Sequence, residues 1–285
     1  MSHDHHDNQF KFDLTEYERR RALGILAGTS ATLLLGACGP GGPGGPPPMS
    51  DPEANKIGKA ADGGQCVKDP QETNGPYPAD GTNSKNGETV NVLTDSGVVR
   101  SDIRSSFGAM QGIAQGAPLK LTATLVDVAN ACAPLANHIV YIWHCDAEGH
   151  YSLYDLTDQN YLRGVAVTDD KGVVTFTTIV PGTYMGRYLH IHFEIFENAA
   201  AAVNGRQSLL ISQFAVPADV LKPLYDGDTR YQSSIKPLAN SSDIATDNVF
   251  GNNTPEQIKA QTLTMSGNAQ SGYVASATIG ITKKA

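Results

Sequence analysis

A chain of 285 residues that is 40% apolar and 18% charged is long enough to bury a substantial core and is neither wholly disordered nor a coiled coil. Its 29 glycines and 16 prolines make it rich in turns, which favours short strands over long helices. Lys plus Arg number 21 against 29 Asp plus Glu, a net charge of -8; there is no basic patch to neutralise phosphates, so nucleic acid is excluded as a partner.

Residues 1 to 21 are polar and end in Arg19, Arg20 and Arg21; a mostly apolar run over 22–37 follows, and then Cys38. That order is the pattern of a secretion signal, and the run is short for a membrane span. Leu35-Gly36-Ala37-Cys38 resembles the bacterial lipoprotein processing box, and the arginine run resembles a twin-arginine signal, the route that exports proteins already folded around a cofactor. The expectation is an exported protein of the cell envelope or periplasm whose membrane contact is a lipid on Cys38. An N-terminal helix packed on the domain is the competing reading, and nothing amphipathic supports it. Residues 39–48 (GPGGPGGPPP) can form neither helix nor sheet. We therefore assign 1–38 to export, 39–61 to a tether and 62–285 to one folded domain, with order beginning near Cys66.

Three cysteines remain after Cys38, enough for one disulfide and one spare thiol. Cys132 and Cys145 flank a predicted strand over 139–144 that holds them too far apart to bond, so Cys66 is expected to pair with one of them. No Cys-x-x-Cys spacing occurs, which argues against a structural zinc site.

From Pro118 onward come short alternating or β-branched runs: LKLTATLVDV, HIVYIWHC, VVTFTTIV, HIHFEIF, and near the end QTLTM with GYVASATIGI. Glu148-Gly149, Asp170-Lys171-Gly172, Pro181-Gly182 and Asn204-Gly205 supply turns between them. No stretch of twelve residues sustains a 3.6 period, so the fold class is all-β, a single β-sandwich with long loops and little helix. Residues 226–258, polar and rich in Asn, Ser and Asp, read as loop leading into a final hairpin that closes the same sheet.

Beyond the signal, the histidines are His138, His144, His150, His190 and His192. In HIHFEIF, strand alternation puts His190, His192 and Glu194 on one face and Ile191, Phe193 and Ile195 on the other, which takes the core. Imidazoles two residues apart on one face stand about 6.6 Å apart at Cα, from which both rings reach one metal ion. An HxH on a polar strand face is by itself a weak signal, so further ligands must come from elsewhere.

Those further ligands lie in IWHCDAEGHYS and in YLRGVAVTDDKGVVTFTTIVPGTYMGRYLHIHFEIF, and together these segments resemble the intradiol ring-cleavage dioxygenases. In that family a tyrosine after a Gly-x step, a second after Pro-Gly-x, and an HxH three residues beyond an arginine hold a non-haem ferric ion. The resemblance implies Tyr151 and Tyr184 as tyrosinate ligands, His190 and His192 as imidazole ligands, Arg187 beside the substrate, and Gln213, in SQFAVP, near the same pocket. It runs from about Cys66 to Ile281, includes GPY at 75–77 and RSDIR at 100–104, and is closest to the secreted, single-domain branch.

What the resemblance implies is an Fe(III) enzyme that cleaves a small aromatic diol of the catechol class with O2, without nicotinamide, flavin or external reductant. Tyr184 would leave the metal as the diol chelates and take its proton; Arg187 would stabilise the negative charge that develops. The donor chemistry agrees: two phenolates and two neutral imidazoles suit a hard trivalent ion, and a tyrosine becomes phenolate at neutral pH only when a strong cation removes its proton. The chain departs from the catechol and protocatechuate enzymes in several places. Only Met185 and Gly186 separate Tyr184 from Arg187, the helical dimerisation segment is missing, residues 198–207 form an alanine-rich insertion, and Thr73-Asn74-Gly75-Pro76-Tyr77 replaces a TEGPY-like turn. A more open pocket is expected.

Taken singly, each residue has a plainer explanation. Either tyrosine would pack a sandwich edge, Arg187 would pair with Glu194 on the surface, and Gln213 would sit in a turn; their joint spacing is what favours a site. His144 and His150 read as structural despite their nearness to Tyr151, His138 has no claim, Trp143 reads as core, and Asp146 as a turn former. Two rival functions follow: a non-catalytic envelope module that binds a ligand on the polar strand face, and a copper or zinc protein that uses only the histidines.

Overall fold

The structure, a computed structural model, describes residues 56–241 and 243–283. The expected export signal and residues 39–55 of the tether lie outside the described residues. In chain order the strands are β1 (Ile57–Lys59), β2 (Gln65–Val67), β3 (Asp80–Lys85), β4 (Glu88–Asn91), β5 (Pro118–Asp127), β6 (Ala133–Pro134), β7 (Ile139–Trp143), β8 (Arg163–Val167), β9 (Val173–Ile179), β10 (His190–Phe196), β11 (Leu210–Ala215), β12 (Thr264–Asn268) and β13 (Gly272–Ile281).

Alternation in β5 sends Leu119, Leu121, Ala123 and Leu125 inward while Lys120 stays exposed. These side chains join Val140, Ile142, Ile191, Phe193, Ile195 and Phe214 in the main core, so two sheets pack face to face. One is four-stranded, ordered β11-β10-β7-β8; the other runs β12-β13-β5-β6, with β9 also paired to β5. All pairs in the four-stranded sheet are antiparallel, and β5 with β13 is parallel. The fold is β-rich with few helices, and the final hairpin β12–β13 extends the second sheet.

The structure corrects several sequence expectations. β1 falls inside the residues assigned to the tether; it pairs with β2, whose Cys66 is disulfide-bonded to Cys132 across a Cα–Cα distance of 6.0 Å. Cys145 is the buried free thiol. β8 was not among the runs read as strands, because Arg163 and Gly164 weaken its β character; pairing with β7 and burial decide in its favour.

Residues 226–258 are more than loop. Helices at Ala218–Gly227, Gln232–Asn240 and Pro255–Gln261 pack around them. The first two carry interior prolines, Pro223 and Pro237, which hide a helical pattern in sequence. Burial of Leu221, Leu224 and Tyr225 holds the first in place. The third has a readable start, a capping box between Thr254 and Gln257 with Pro255 in the first turn.

The most consequential correction concerns the polar face of β10. Every residue of β10 is buried, because a second apolar layer covers the outer face of the four-stranded sheet. Ala79, Val92, Leu93, Val98 and the helix Ala199–Ala202 pack there against Tyr141, Trp143 and Phe196. His190, His192 and Glu194 are therefore interior groups.

Candidate active site

Tyr151 lies in the β7–β8 connection, Tyr184 and Arg187 in the β9–β10 connection, and the histidines on β10 itself. Two glycines let the two connections touch. A Cβ on Gly149, whose φ is +92°, would stand 2.7 Å from Thr183 O; a Cβ on Gly182 would stand 2.5 Å from both Asp146 O and Ala147 O. Gly182 N–H donates to Asp146 O at 2.8 Å. Buried Ser234, on the helix Gln232–Asn240, accepts from Thr183 N–H at 2.9 Å and donates to Ala147 O at 3.0 Å, which ties both turns to one helix. Gly182→Ala should therefore force rigid backbone apart. The expected loss is about 1–3 kcal/mol in urea unfolding, together with weakened metal uptake in a titration, because the two tyrosines separate.

The phenol oxygens of Tyr151 and Tyr184 are 3.3 Å apart, and His190 Nε2 lies 3.4 Å from the first and 3.2 Å from the second. His190 Nδ1 is 2.6 Å from Tyr188 O. It therefore carries the hydrogen, and the Nε2 lone pair faces the phenols. The His192 ring is 4.8 Å from that of His190 and 6.3 Å from that of Tyr151, centroid to centroid. It stacks on Trp143 at 4.7 Å and 7°, and Trp143 stacks in turn on Tyr141. Trp143, read from sequence as core, is also the platform that sets the plane of His192.

Burial controls the charge of these groups. It raises the Tyr184 pKa to about 12 and that of Tyr151 well above its ordinary value, with the neighbouring phenol adding to the second shift. Burial lowers His190 to about 3 and His192 well below the usual range, assisted by Arg187 at His190 and by His190 at His192. At neutral pH all four are uncharged, and each imidazole keeps a lone pair on its unprotonated nitrogen. The set fits a metal ion. Donors about 2.0–2.2 Å from one ion at ordinary angles stand about 3–3.5 Å apart, the separation seen among Tyr151, Tyr184 and His190. In addition, His192 Nδ1 is buried with no hydrogen-bond partner. Among the described residues, no group of three His, Cys, Asp or Glu side chains could hold a metal, so a metal held by His190 and His192 needs the tyrosines.

Arg187 and Gln213 join the same cluster. Gln213 stands opposite His192 in the β10–β11 register, accepts from Arg187 Nη2 at 2.6 Å and donates to Thr73 O at 3.0 Å. Arg187 does not pair with Glu194, which is fully buried with neither carboxylate oxygen hydrogen-bonded. Its partner is Asp247, whose Oδ2 accepts from Arg187 Nε at 2.9 Å. Asp247 was missed from sequence. It lies in a segment read as loop, and its only local signal is the Asp-x-Val-Phe turn in which it accepts from Val249 and Phe250 N–H at 2.8 and 3.1 Å.

The remaining sequence candidates serve the fold. His144 is buried, its ring nitrogens 2.8 Å from Cys145 O and Thr178 Oγ1, His150 is 48% exposed beside Glu148, and His138 is 2.8 Å from Ala136 O. Asp146 accepts from Glu148 and His150 N–H, as a turn former does. Tyr77, of the GPY turn, packs on Tyr151 at 5.0 Å.

A family model described as "Dioxygenase" matches residues 102–223, a span that contains Tyr151, Tyr184, Arg187, His190, His192 and Gln213. No curated protein matches the chain. Among solved structures, an intradiol ring-cleavage dioxygenase from Tetranychus urticae is similar at 23% identity and a TM-score of 0.56, covering 76% of this chain and 95% of that one. The dioxygenase domain of a dioxygenase carbohydrate-binding protein fusion from Streptomyces sp. SirexAA-E is similar at 22% identity and a TM-score of 0.45, covering 76% and 99%. The first of these carries a likeness of fold. On these findings residues 102–223 match the Dioxygenase family model and the chain shares its fold with an intradiol ring-cleavage dioxygenase.

Proposed function

We propose that this protein is a non-haem Fe(III) dioxygenase that inserts both atoms of O2 into a catechol-type aromatic and opens the ring between the hydroxylated carbons, giving a muconate-type product. The observation that carries the reading is the convergence of two phenols and an imidazole within 3.2–3.4 Å of one another, with His192 beside them. Tyr151, Tyr184, His190 and His192 would hold the iron. When bound, it would supply the Lewis acidity and electronic coupling that let an ionised diol react with O2.

The chain's own groups divide the remaining work. Tyr151 is 2% exposed and stays fixed, whereas Tyr184 is only partly buried and can swing out. Its oxygen then accepts a substrate hydroxyl proton. Arg187 directs a donor at the anionic ring, and Gln213 holds Arg187 by Nη2. Both oxygen atoms end in the product, so the reaction balances without an external reductant. The proposal extends to location: residues 1–38 would export the enzyme, which would act on aromatic diols outside the cytoplasm. The rival binding module needs a solvent-facing polar strand, and the buried β10 offers none.

The test is oxygen uptake by iron-loaded protein against a panel of substituted catechols, with ¹⁸O2 labelling. Two labelled oxygens per ring-opened product are expected. Iron-loaded, coloured protein that consumes no oxygen with any catechol would overturn the reading.

A further inference from the structure

We propose that Asp247 is a positioning residue that clamps the Arg187 guanidinium so that its one free nitrogen is left for substrate beside the candidate ligands. This inference rests on the reading above for its catalytic meaning, though not for its geometry.

Arg187 follows Tyr184 by three residues in an exposed turn, where a long flexible side chain has many rotamers open to it. Two anchors from distant segments remove that freedom. Asp247 Oδ2 accepts from Nε at 2.9 Å and Oδ1 from Nη2 at 3.4 Å, while Gln213 Oε1 accepts from Nη2 at 2.6 Å. Each anchor is itself anchored. Asp247 accepts from the backbone N–H of Tyr188, Val249 and Phe250 at 2.7, 2.8 and 3.1 Å, and Gln213 donates to Thr73 O.

The Asp247 side chain is 1% exposed and that of Arg187 12%, so this is an interior fixture and not a solvated surface pair. Among the described residues, no protein acceptor takes Arg187 Nη1. The register of Gln213 opposite His192 places the fork beside the candidate ligands, and Nη1 is the donor left for substrate. A guanidinium that must meet charge at one point gains from being fixed before the reaction starts.

Asp247 also holds three backbone N–H groups, so the experiment must separate positioning from plain folding. Asp247→Asn is expected to lower kcat about 10–100-fold with KM changed by less than about threefold and with iron content and visible absorption at the parent level. In an Arg187→Ala background the same change is expected to cost less than about twofold. Equal losses in both backgrounds, or loss of iron, would mark a structural role and overturn the proposal.

A second readout needs neither iron nor activity. In ¹⁵N-arginine-labelled protein, the Arg187 Nε–H, assigned by its disappearance in Arg187→Lys, should exchange with solvent at least about tenfold faster in Asp247→Asn; unchanged exchange would refute the clamp. Should Asp247→Asn not fold, Asp247→Ser, whose hydroxyl still accepts from Val249 N–H, is read in the same way. If the parent protein cleaves no catechol, the proposed function fails while the exchange experiment still decides the clamp.

Discussion

Tyr151→Phe is expected to abolish the visible absorption of the iron-loaded protein and Tyr184→Phe to weaken it, and each to lower kcat/KM for a catechol by at least about 10³-fold, roughly 4 kcal/mol of transition-state stabilisation. Phenylalanine keeps what the rings do for the fold. The Tyr151 ring still meets Tyr77 at 5.0 Å and Tyr184 edge-on at 5.9 Å; what disappears is one oxygen donor.

The two variants should nevertheless differ. Tyr151 is interior, so its loss should empty the site of metal, whereas Tyr184→Phe should retain part of the iron and lose turnover, because the oxygen that takes the substrate proton is gone. Metal analysis and a visible spectrum on each variant check this. Unchanged metal content in both would favour a site built from the histidines alone and defeat the dioxygenase reading.

Metal affinity is expected to rise about 100-fold per pH unit between roughly pH 5 and 9. The sign follows from which groups change protonation. Before loading, burial raises the Tyr184 phenol to about 12 and Tyr151 well above its ordinary value, so both phenols carry protons throughout that window. His190, lowered to about 3, and His192, also lowered, carry none beyond the one on each neutral ring. Binding as two phenolates and two neutral imidazoles therefore releases two protons, and a fall in pH drives the metal off. A pH-stat titration should count those two protons, and Tyr184→Phe should reduce the count to one. A count of zero would mean that the phenols are not ligands.

Much of the candidate site was legible because its signals are short-range. The Gly-x-Tyr step, the Pro-Gly-x-Tyr turn and the HxH each lie within a few residues, and the alternation of HIHFEIF ties His190 and His192 to one face. The same locality explains what was misread. Nothing within reach of Arg187 in the chain names Asp247, 60 residues away, and nothing near Trp143 says that an imidazole will lie on it.

Residue types and spacing alone determined the strand alternation, because it depends on backbone periodicity that each segment carries by itself; the expected tyrosine and histidine donors came from the resemblance that the short motifs carry. The packing of distant segments alone decided that the polar face of β10 is buried. A layer built from Ala79, Val92, Leu93, Val98 and the Ala199–Ala202 helix covers it, and that burial reinforces the neutral forms of the two histidines and two tyrosines. Chain-distant contacts also decided the Arg187–Asp247–Gln213 clamp. The physical reason is the same in each case: desolvation and long-range hydrogen bonds depend on what the fold brings alongside a residue, and neighbours in the chain do not report it.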